Sequence, residues 1–348
     1  MWSLVAIAHV LRKRLSRKTV RALESVAARS WEIAPGETVT TPPAHYLPNQ
    51  LERVTGWAFA NEHPGREMAG GLRIDHGPTR GFLIEDAWLM DGVLHKDSAV
   101  AHLAPRTDVL PPVRADVEVP RGAVFCTPGG NRYFGQWLMD DCPTYELARS
   151  EGLPVTTVQR VNAHTPGYED WLGMKPARLR AARFKELVIF QDNGQNRHKH
   201  RRFRKMSDRL VSRVEASSHP GVFILRGRTG ERRVMRNELE LAEQLRDRRG
   251  FRILDPTKAD VPTLVKTCAG ARTVIGVEGS GLMHGILVLP PGGSVLALQP
   301  PNRFVGLYKH LTDRDQQHFG FVVGKPEGED FRIEPDEVER TLDLLAAA

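Results

Sequence analysis

Between Val222 and Leu298 four short, mostly apolar runs alternate with helix-length segments, and this rhythm limits the fold more than any other feature of the chain. The runs are Val222-Phe223-Ile224-Leu225, Phe251-Arg252-Ile253-Leu254, Thr273-Val274-Ile275-Gly276-Val277 and Ser294-Val295-Leu296-Ala297-Leu298. Residues 236–248, 261–270 and 282–289 lie between them with helical character, the last stopped by Pro290-Pro291-Gly292-Gly293. Runs without polar alternation are strands buried on both faces, as in a parallel sheet covered by helices. Strict strand–helix alternation therefore predicts a doubly wound parallel sheet. We expect a Rossmann-like C-terminal domain over 215–325, followed by a C-terminal helix within 326–348.

The chain is long for a single core at 348 residues, so a second domain is expected over 51–214. Its short apolar runs are broken by glycine and proline, which points to an irregular α/β fold. Phe82-Leu83-Ile84 and Ala87-Trp88-Leu89 bracket Glu85-Asp86 and suggest a hairpin or meander. Val117 to Cys126 reads as a strand entering the loop Thr127-Pro128-Gly129-Gly130-Asn131, and 137–149 has helical character. The run 196–213, with Arg197, Lys199, Arg201, Arg202, Arg204 and Lys205, reads either as a solvated linker helix or as an electropositive rim.

Residues 1–50 form a separate arm that ends in a proline-rich connector. Leu4, Ile7, Leu11 and Leu15 fall at helical spacing among Arg12, Lys13, Arg14, Arg17, Lys18 and Arg21. The apolar stretch is shorter than the ~20 residues a membrane span needs, and it lacks the features of a signal peptide. Two readings stand: peripheral contact of residues 1–29 with an anionic membrane, or docking on the protein's own N-terminal domain. A cytoplasmic location is the corresponding expectation. Cys126, Cys142 and Cys268 are an odd set without zinc-like spacing and read as reduced thiols; no metal is expected. The net charge of +7 favours an anionic partner without naming it.

The third apolar run ends at Glu278-Gly279-Ser280-Gly281, at the carboxyl edge of the expected sheet. Ligands of such sheets bind at that edge, near a switch in strand order. A glycine turn that opens a helix suits a phosphate, or it is simply a tight turn. The spacing is not the dinucleotide fingerprint GxGxxG. The first run leads into Arg226-Gly227-Arg228-Thr229-Gly230-Glu231-Arg232-Arg233, whose loop should open on the same edge; clustered there, arginines suit a diphosphate. Asn237 and Glu238 follow, as a helix cap, as supports for the loop, or as ligands.

Arg226, Arg233 and Asn237-Glu238, then Val274-Ile275-Gly276 with Gly279-Ser280-Gly281-Leu282, then Pro290-Pro291-Gly292, together resemble glycosyltransferase family 61. The stretch from Asn131 to Pro143 is similar to the aromatic-x-His-Trp-x-x-Asp-x-x-Pro segment of that family. The resemblance implies a GT-B-like α/β architecture, two Rossmann-like domains facing across a cleft. It implies a donor site in the C-terminal domain, built from Arg226, Arg228, Arg233, Asn237, Glu238, Gly279, Ser280, Gly281 and His284. It also implies an acceptor side with Tyr133, Gln136 and Trp137 in the domain 51–214, and an inverting transferase that uses a nucleotide sugar, generally a UDP-sugar, without metal or other cofactor. Gln136, Glu278 and His284 depart from the family pattern, which has His, His and Asn there. The expected mechanism is direct displacement, with Asp140 as base and Asp141 or Glu278 as alternatives. The implied acceptor is a surface or capsular glycan. An inactive relative that binds sugar nucleotides or polysaccharide is the second reading. A nucleic-acid binder is the third, and no recognised nucleic-acid motif supports it.

Overall fold

The computed structural model describes residues 21–58, 64–105, 114–158 and 162–348. The expected amphipathic helix of the N-terminal arm lies outside these residues for positions 1–20. The chain divides into two compact units, one of His76–Phe203 with the segment up to Glu37, the other of Thr38–Asp75 with Arg204–Ala348.

The first unit is built on a mixed sheet of nine strands among the described residues. Its main strands are β1 (Arg29–Ala34), β2 (Thr79–Met90), β3 (Val93–Lys96), β4 (Ala99–His102), β5 (Val117–Val124), β6 (Leu153–Thr156) and β7 (Ala181–Gln191). β7 runs antiparallel to β2 and parallel to β5, and β5 is parallel to β6. The expected Rossmann-like form is therefore not what this unit has. Antiparallel pairing of β2 with β3 and of β3 with β4 occupies one side, because tight turns join these strands without crossover helices. The expected hairpin around Glu85-Asp86 is also corrected. Both apolar triplets lie in the single strand β2, where Glu85 pairs with Glu186 and Asp86 takes a positive φ of 51°. The chain reverses instead at Asp91-Gly92, with φ of 48° and 79°, as a two-residue hairpin turn of the twisted kind requires.

Helix α1 (Cys142–Glu151) follows a helical turn Phe134–Gln136 and a π-helical segment Trp137–Asp141. Next come α2 (Thr165–Leu172) and α3 (Arg197–Val211). Along α3 the residues Lys199, Arg202, Phe203, Met206 and Leu210 are all buried. The basic run is thus not a solvated linker: two of its cations lie on the helix's buried stripe.

The second unit carries the sheet expected from the sequence. Strands β8 (His219–Ile224), β9 (Arg252–Leu254), β10 (Ala271–Val277), β11 (Ser294–Gln299) and β12 (His318–Val323) are all parallel, in the order β9-β8-β10-β11-β12. The fifth strand adds to the four read from the sequence. Helices α4 (Glu238–Arg249), α5 (Val261–Ala269), α6 (Met283–Ile286), α7 (Leu307–Arg314) and α8 (Pro335–Ala346) complete the unit. On one face Leu241 and Leu245 of α4 and Val338, Leu342 and Leu345 of α8 share a core with Phe223, Ile275, Leu296 and Val322. On the other face Gly285 of α6 lies so close that an added Cβ would sit 2.5 Å from Val274. Apolar residues occupy both faces, which is why the strands read as unbroken runs.

The unit boundary differs from the one placed near residue 214. Segment Thr38–Asp75 belongs with the C-terminal sheet because its backbone pairs there: His45 N–H donates to Phe319 O (2.8 Å), and Phe321 N–H donates to His45 O (3.2 Å). Tyr46 stacks on Phe321 with centroids 4.6 Å apart, and Arg53 pairs with Glu337. After residue 325 the chain continues into α8, and Phe331, Ile333 and α8 complete the sheet's core.

Candidate active site

The strand order places the switch point of the parallel sheet between β8 and β10, the first and third strands in sequence. Strand β8 runs on into Leu225-Arg226, and β10 ends immediately before Glu278. A ligand of such a sheet sits beyond these two ends. Arg226 and Arg233 reach this point together. A Cβ on Gly279 would lie 2.1 Å from Arg226 Nη1 and 3.0 Å from Arg233 Nη1, so glycine is what lets both guanidinium groups close on the turn. Gly279 has φ of 144°, a conformation that side chains other than hydrogen oppose.

The loop that carries these arginines is held at both ends. Glu238, at the start of α4, accepts Arg226 N–H (2.7 Å) and Gly227 N–H (2.8 Å) on its two oxygens. Burial raises its carboxyl above the ordinary range, and those two bonds oppose the rise. Buried Asp330 binds Arg232 (2.8 Å) and Arg236 (2.7 Å) at the other end. Asn237 spends its amide on the backbone of Ile333, donating to O (2.8 Å) and accepting N–H (3.1 Å). Asn237 and Glu238 therefore position the loop. Arg228 is exposed, and His284 is buried in α6.

Sequence reasoning missed Arg303, which follows β11 in Pro300-Pro301-Asn302-Arg303. The carboxyl-edge rule applied to one more strand would have found it. Glu278 Oε2 accepts Arg233 Nη1 (2.6 Å) and Arg303 Nη1 (3.3 Å), and Glu231 Oε2 accepts Arg233 Nη2 (3.3 Å) and Arg303 Nη2 (3.1 Å). Two arginines and two carboxylates thus alternate in a closed ring. Burial pushes the Glu278 carboxyl up, and Arg233, Arg303 and Arg226 pull it back only in part. Burial also lowers the Arg226 guanidinium, with Arg233 adding to the effect. Among the described residues the buried Nε atoms of Arg226 and Arg233 meet no hydrogen-bond partner. Beside the ring a recess of about 280 Å³ is lined by Trp57, Arg232, Arg233, Asn302, Arg303 and Asp330, among others.

The expected helix over 282–289 is much shorter. A 3-10 turn, Ser280–Leu282, leads into the four residues of α6. So short a helix has little dipole to offer a phosphate, and the arginines are the main electrostatic resource here. Ser280 and Gly281 remain partly exposed at the turn.

In the first unit Asp140 and Asp141 are neighbours in sequence with different surroundings. Asp141 is fully buried; its Oδ1 accepts Thr127 N–H (3.1 Å) and Thr127 Oγ1–H (2.8 Å). Burial raises its carboxyl well above the usual range, opposed by Thr127 and assisted by Asp140. A Cβ on Gly130 would fall 1.9 Å from Asp141 Oδ2, and one on Gly129 would fall 2.2 Å from Gln136 Oε1, so the two glycines admit these side chains against the loop. Asp140 keeps 21% of its side chain exposed. Its Oδ1 accepts a bond from Lys199 Nζ, a group only 1% exposed, and Gln195 Nε2 lies at 3.4 Å. Lys199 also donates to Asp192 O (2.7 Å), and Asp192 forms a two-point pair with Arg202 at 2.8 Å on each oxygen. Lys199 stands one helical turn before Phe203 on the buried stripe of α3, a spacing that its run of like charges masks in the sequence. Trp137 is buried and stacks on Phe134, so it is core, while Tyr133 is half-buried beneath the guanidinium of Arg132.

Among the described residues no three His, Cys, Asp or Glu side chains cluster to hold a metal ion, and no helix is long and apolar enough to cross a membrane. All three cysteines are buried and free, and burial lifts the Cys126 thiol to about 11 and the Cys268 thiol to about 12.

No curated protein is significantly similar in sequence. Among solved structures, a mutant flavo di-iron protein from Thermotoga maritima aligns at 10% identity and a TM-score of 0.28, over 78% of this chain and 64% of that one. The chain thus spans less than two thirds of that relative, and so low a score says nothing of shared fold or chemistry. The family model Glycosyltransferase 61 matches residues 105–296, more than half of the chain, from the segment before β5 into β11. That span includes Asp140, Arg226, Arg233 and Gly279, and by this match the chain belongs to the glycosyltransferase 61 family.

Proposed function

We propose that the chain transfers a sugar from a nucleotide sugar, with UDP as the expected carrier, to a glycan acceptor with inversion at the anomeric carbon. The observation that carries this reading is the convergence of Arg226 and Arg233 on Gly279, with Arg303 in the same ion-pair ring, at the switch point of the parallel sheet. Cations fixed there suit a departing diphosphate, whose charge grows as the glycosidic bond breaks. In this scheme the acceptor oxygen bonds to the anomeric carbon, the bond to the diphosphate oxygen breaks, and the acceptor proton passes to a carboxylate.

Asp140 is the base in this proposal, because it keeps access to solvent while Asp141 is committed to the loop backbone. Lys199 and Gln195 hold Oδ1, which leaves Oδ2 for the proton. The scheme assigns the donor to the second unit and the acceptor to the first, with Tyr133 and Gln136 on the acceptor side. Assembly of a surface or capsular glycan in the cytoplasm is the setting we infer, with any contact of the arm with an anionic membrane limited to residues before Arg21, because Arg21-Ala22 pair with Ala99-Val100 and Leu23 is buried in the first unit's core. No metal or other cofactor is called for.

A second reading, a sugar-nucleotide-binding relative without transferase activity, draws on Glu278, which occupies two of the three arginines. Calorimetry and thermal-shift measurements with UDP, GDP, CMP and their sugars decide the donor site, using the wild type and Arg226→Gln. Saturable binding of one nucleotide, weakened at least tenfold in the variant, is the expected outcome. Binding of none by the wild type would refute the donor site. Transfer to water or to a glycan, followed with the nucleotide sugar that binds, then separates the two readings.

A further inference from the structure

We propose that Trp57 is a stacking platform for the nucleobase of the donor, in the recess that borders the arginine ring. This rests on the donor-site reading above and adds a residue that lies outside the family-matched span 105–296. Trp57 keeps 41% of its surface exposed. An indole left open beside charged groups offers a wide, rigid contact area at low entropic cost. Main-chain bonds fix its position: Thr55 N–H donates to Pro301 O (2.7 Å), Phe304 N–H to Gly56 O (2.9 Å) and Ala58 N–H to Phe304 O (3.0 Å). Residues 55–58 thus run beside 301–304, the stretch that carries Arg303. Gly56 permits this approach, since a Cβ there would lie 2.4 Å from Asn302 O. The indole meets the fully buried Phe304 at 75° with centroids 5.7 Å apart, and Phe304 packs in turn on Phe321 of β12. The platform is therefore seated on the sheet before any ligand arrives.

The recess of about 280 Å³ joins this platform to the arginines, because Trp57 and Asn302 line it together with Arg233 and Arg303. A ligand whose diphosphate meets those two guanidinium groups has its next group beside the recess. Two groups flank the diphosphate of a nucleotide sugar, the nucleoside and the transferred sugar. Every residue that lines the recess belongs to the second unit, so its occupant stays with the unit that holds the donor. The nucleoside is the half that stays with the diphosphate, whereas the sugar is handed to the acceptor. A flat base also matches the flat indole, and such stacking serves any base. Choice among bases then falls to polar lining groups such as the exposed Asn302, whose amide offers a donor and an acceptor to a base edge.

The test is calorimetry with UDP, GDP and inorganic pyrophosphate on the wild type, Trp57→Leu and Trp57→Phe. Leucine keeps apolar packing against Phe304 without a flat face, and phenylalanine keeps both. The nucleotide that binds the wild type should weaken about tenfold in Trp57→Leu. Trp57→Phe should recover most of that affinity. Pyrophosphate carries no base and should bind all three proteins alike. Unchanged nucleotide affinity in Trp57→Leu, which a contact with the transferred sugar would give, would overturn the platform. A parallel loss of pyrophosphate, or no recovery in Trp57→Phe, would overturn it too, and each of these results leaves the donor site standing. Absence of UDP and GDP binding in the wild type would remove the donor site and this proposal with it.

Discussion

Replacing Glu238 by glutamine removes one of the two acceptors that fix the arginine loop to the sheet. In the native chain its oxygens take Arg226 N–H at 2.7 Å and Gly227 N–H at 2.8 Å. Glutamine keeps one carbonyl oxygen and turns an NH₂ donor toward the other N–H. A hydrogen bond to a charged acceptor contributes about 1.5–3 kcal/mol, and loss of a carboxylate from the first turn of α4 removes a few tenths more. The local cost is therefore about 2 kcal/mol. Residues 227–232 are exposed, so the loop can loosen while the sheet beneath it stays folded. The cost then falls on binding and not on global stability, and about 2 kcal/mol corresponds to roughly thirtyfold in affinity. UDP calorimetry should report that loss, amide exchange should show weaker protection at Arg226 and Gly227, and the melting temperature should hardly move. Lost protection with unchanged UDP affinity would refute the claim that the ordered loop serves the donor.

Four further outcomes are expected. Gly279→Ala, at φ of 144° and with its Cβ driven into Arg226 Nη1, should cost about 1–3 kcal/mol of stability and abolish UDP binding, whereas a Cβ at Gly281 meets nothing within 4 Å and Gly281→Ala should be mild in both assays. Arg202→Met strands the buried Asp192 carboxylate, and urea denaturation should register a loss of about 3–5 kcal/mol. Asp140→Asn should lower sugar transfer by about 10²–10⁴ with little change in melting temperature, and Asp141→Asn should lower the melting temperature. Burial lifts Asp315 from 3.8 to about 6, so its contribution to stability is full below pH 4 and is lost as pH rises through 6; Asp315→Asn should gain about 3 kcal/mol relative to the wild type between pH 4 and 7 by denaturant titration.

The second unit's sheet was legible because helices cover both faces of β8, β10 and β11, which forces continuous apolar runs. Gly279 and the arginines after β8 were legible because the carboxyl-edge rule needs only strand order. Arg303 obeys the same rule and was passed over because it stands alone behind two prolines. Glu85-Asp86 misled because a polar pair between apolar triplets has the composition of a turn, yet Asp86 absorbs the irregularity within one strand. Lys199 was hidden in a run of like charges, where burial of one cation depends on a carboxylate 59 residues away. The allegiance of residues 38–75 had no signature at all, since His45 joins β12 through main-chain atoms.

That allegiance has a consequence for synthesis on the ribosome. Arg53 meets Glu337 across 284 residues, and Gln50 accepts the N–H of Val323 across 273. Residues 38–75 leave the ribosome early and must wait for their partners on β12 and α8 until Glu337 has followed. The first unit, closed by Phe203, can assemble during that delay, whereas the second can finish only once Val323 and Glu337 have been made. A fragment beginning at residue 204 would lack the covering of β12 and expose Phe321, so it should aggregate unless residues 38–75 are supplied as a separate peptide.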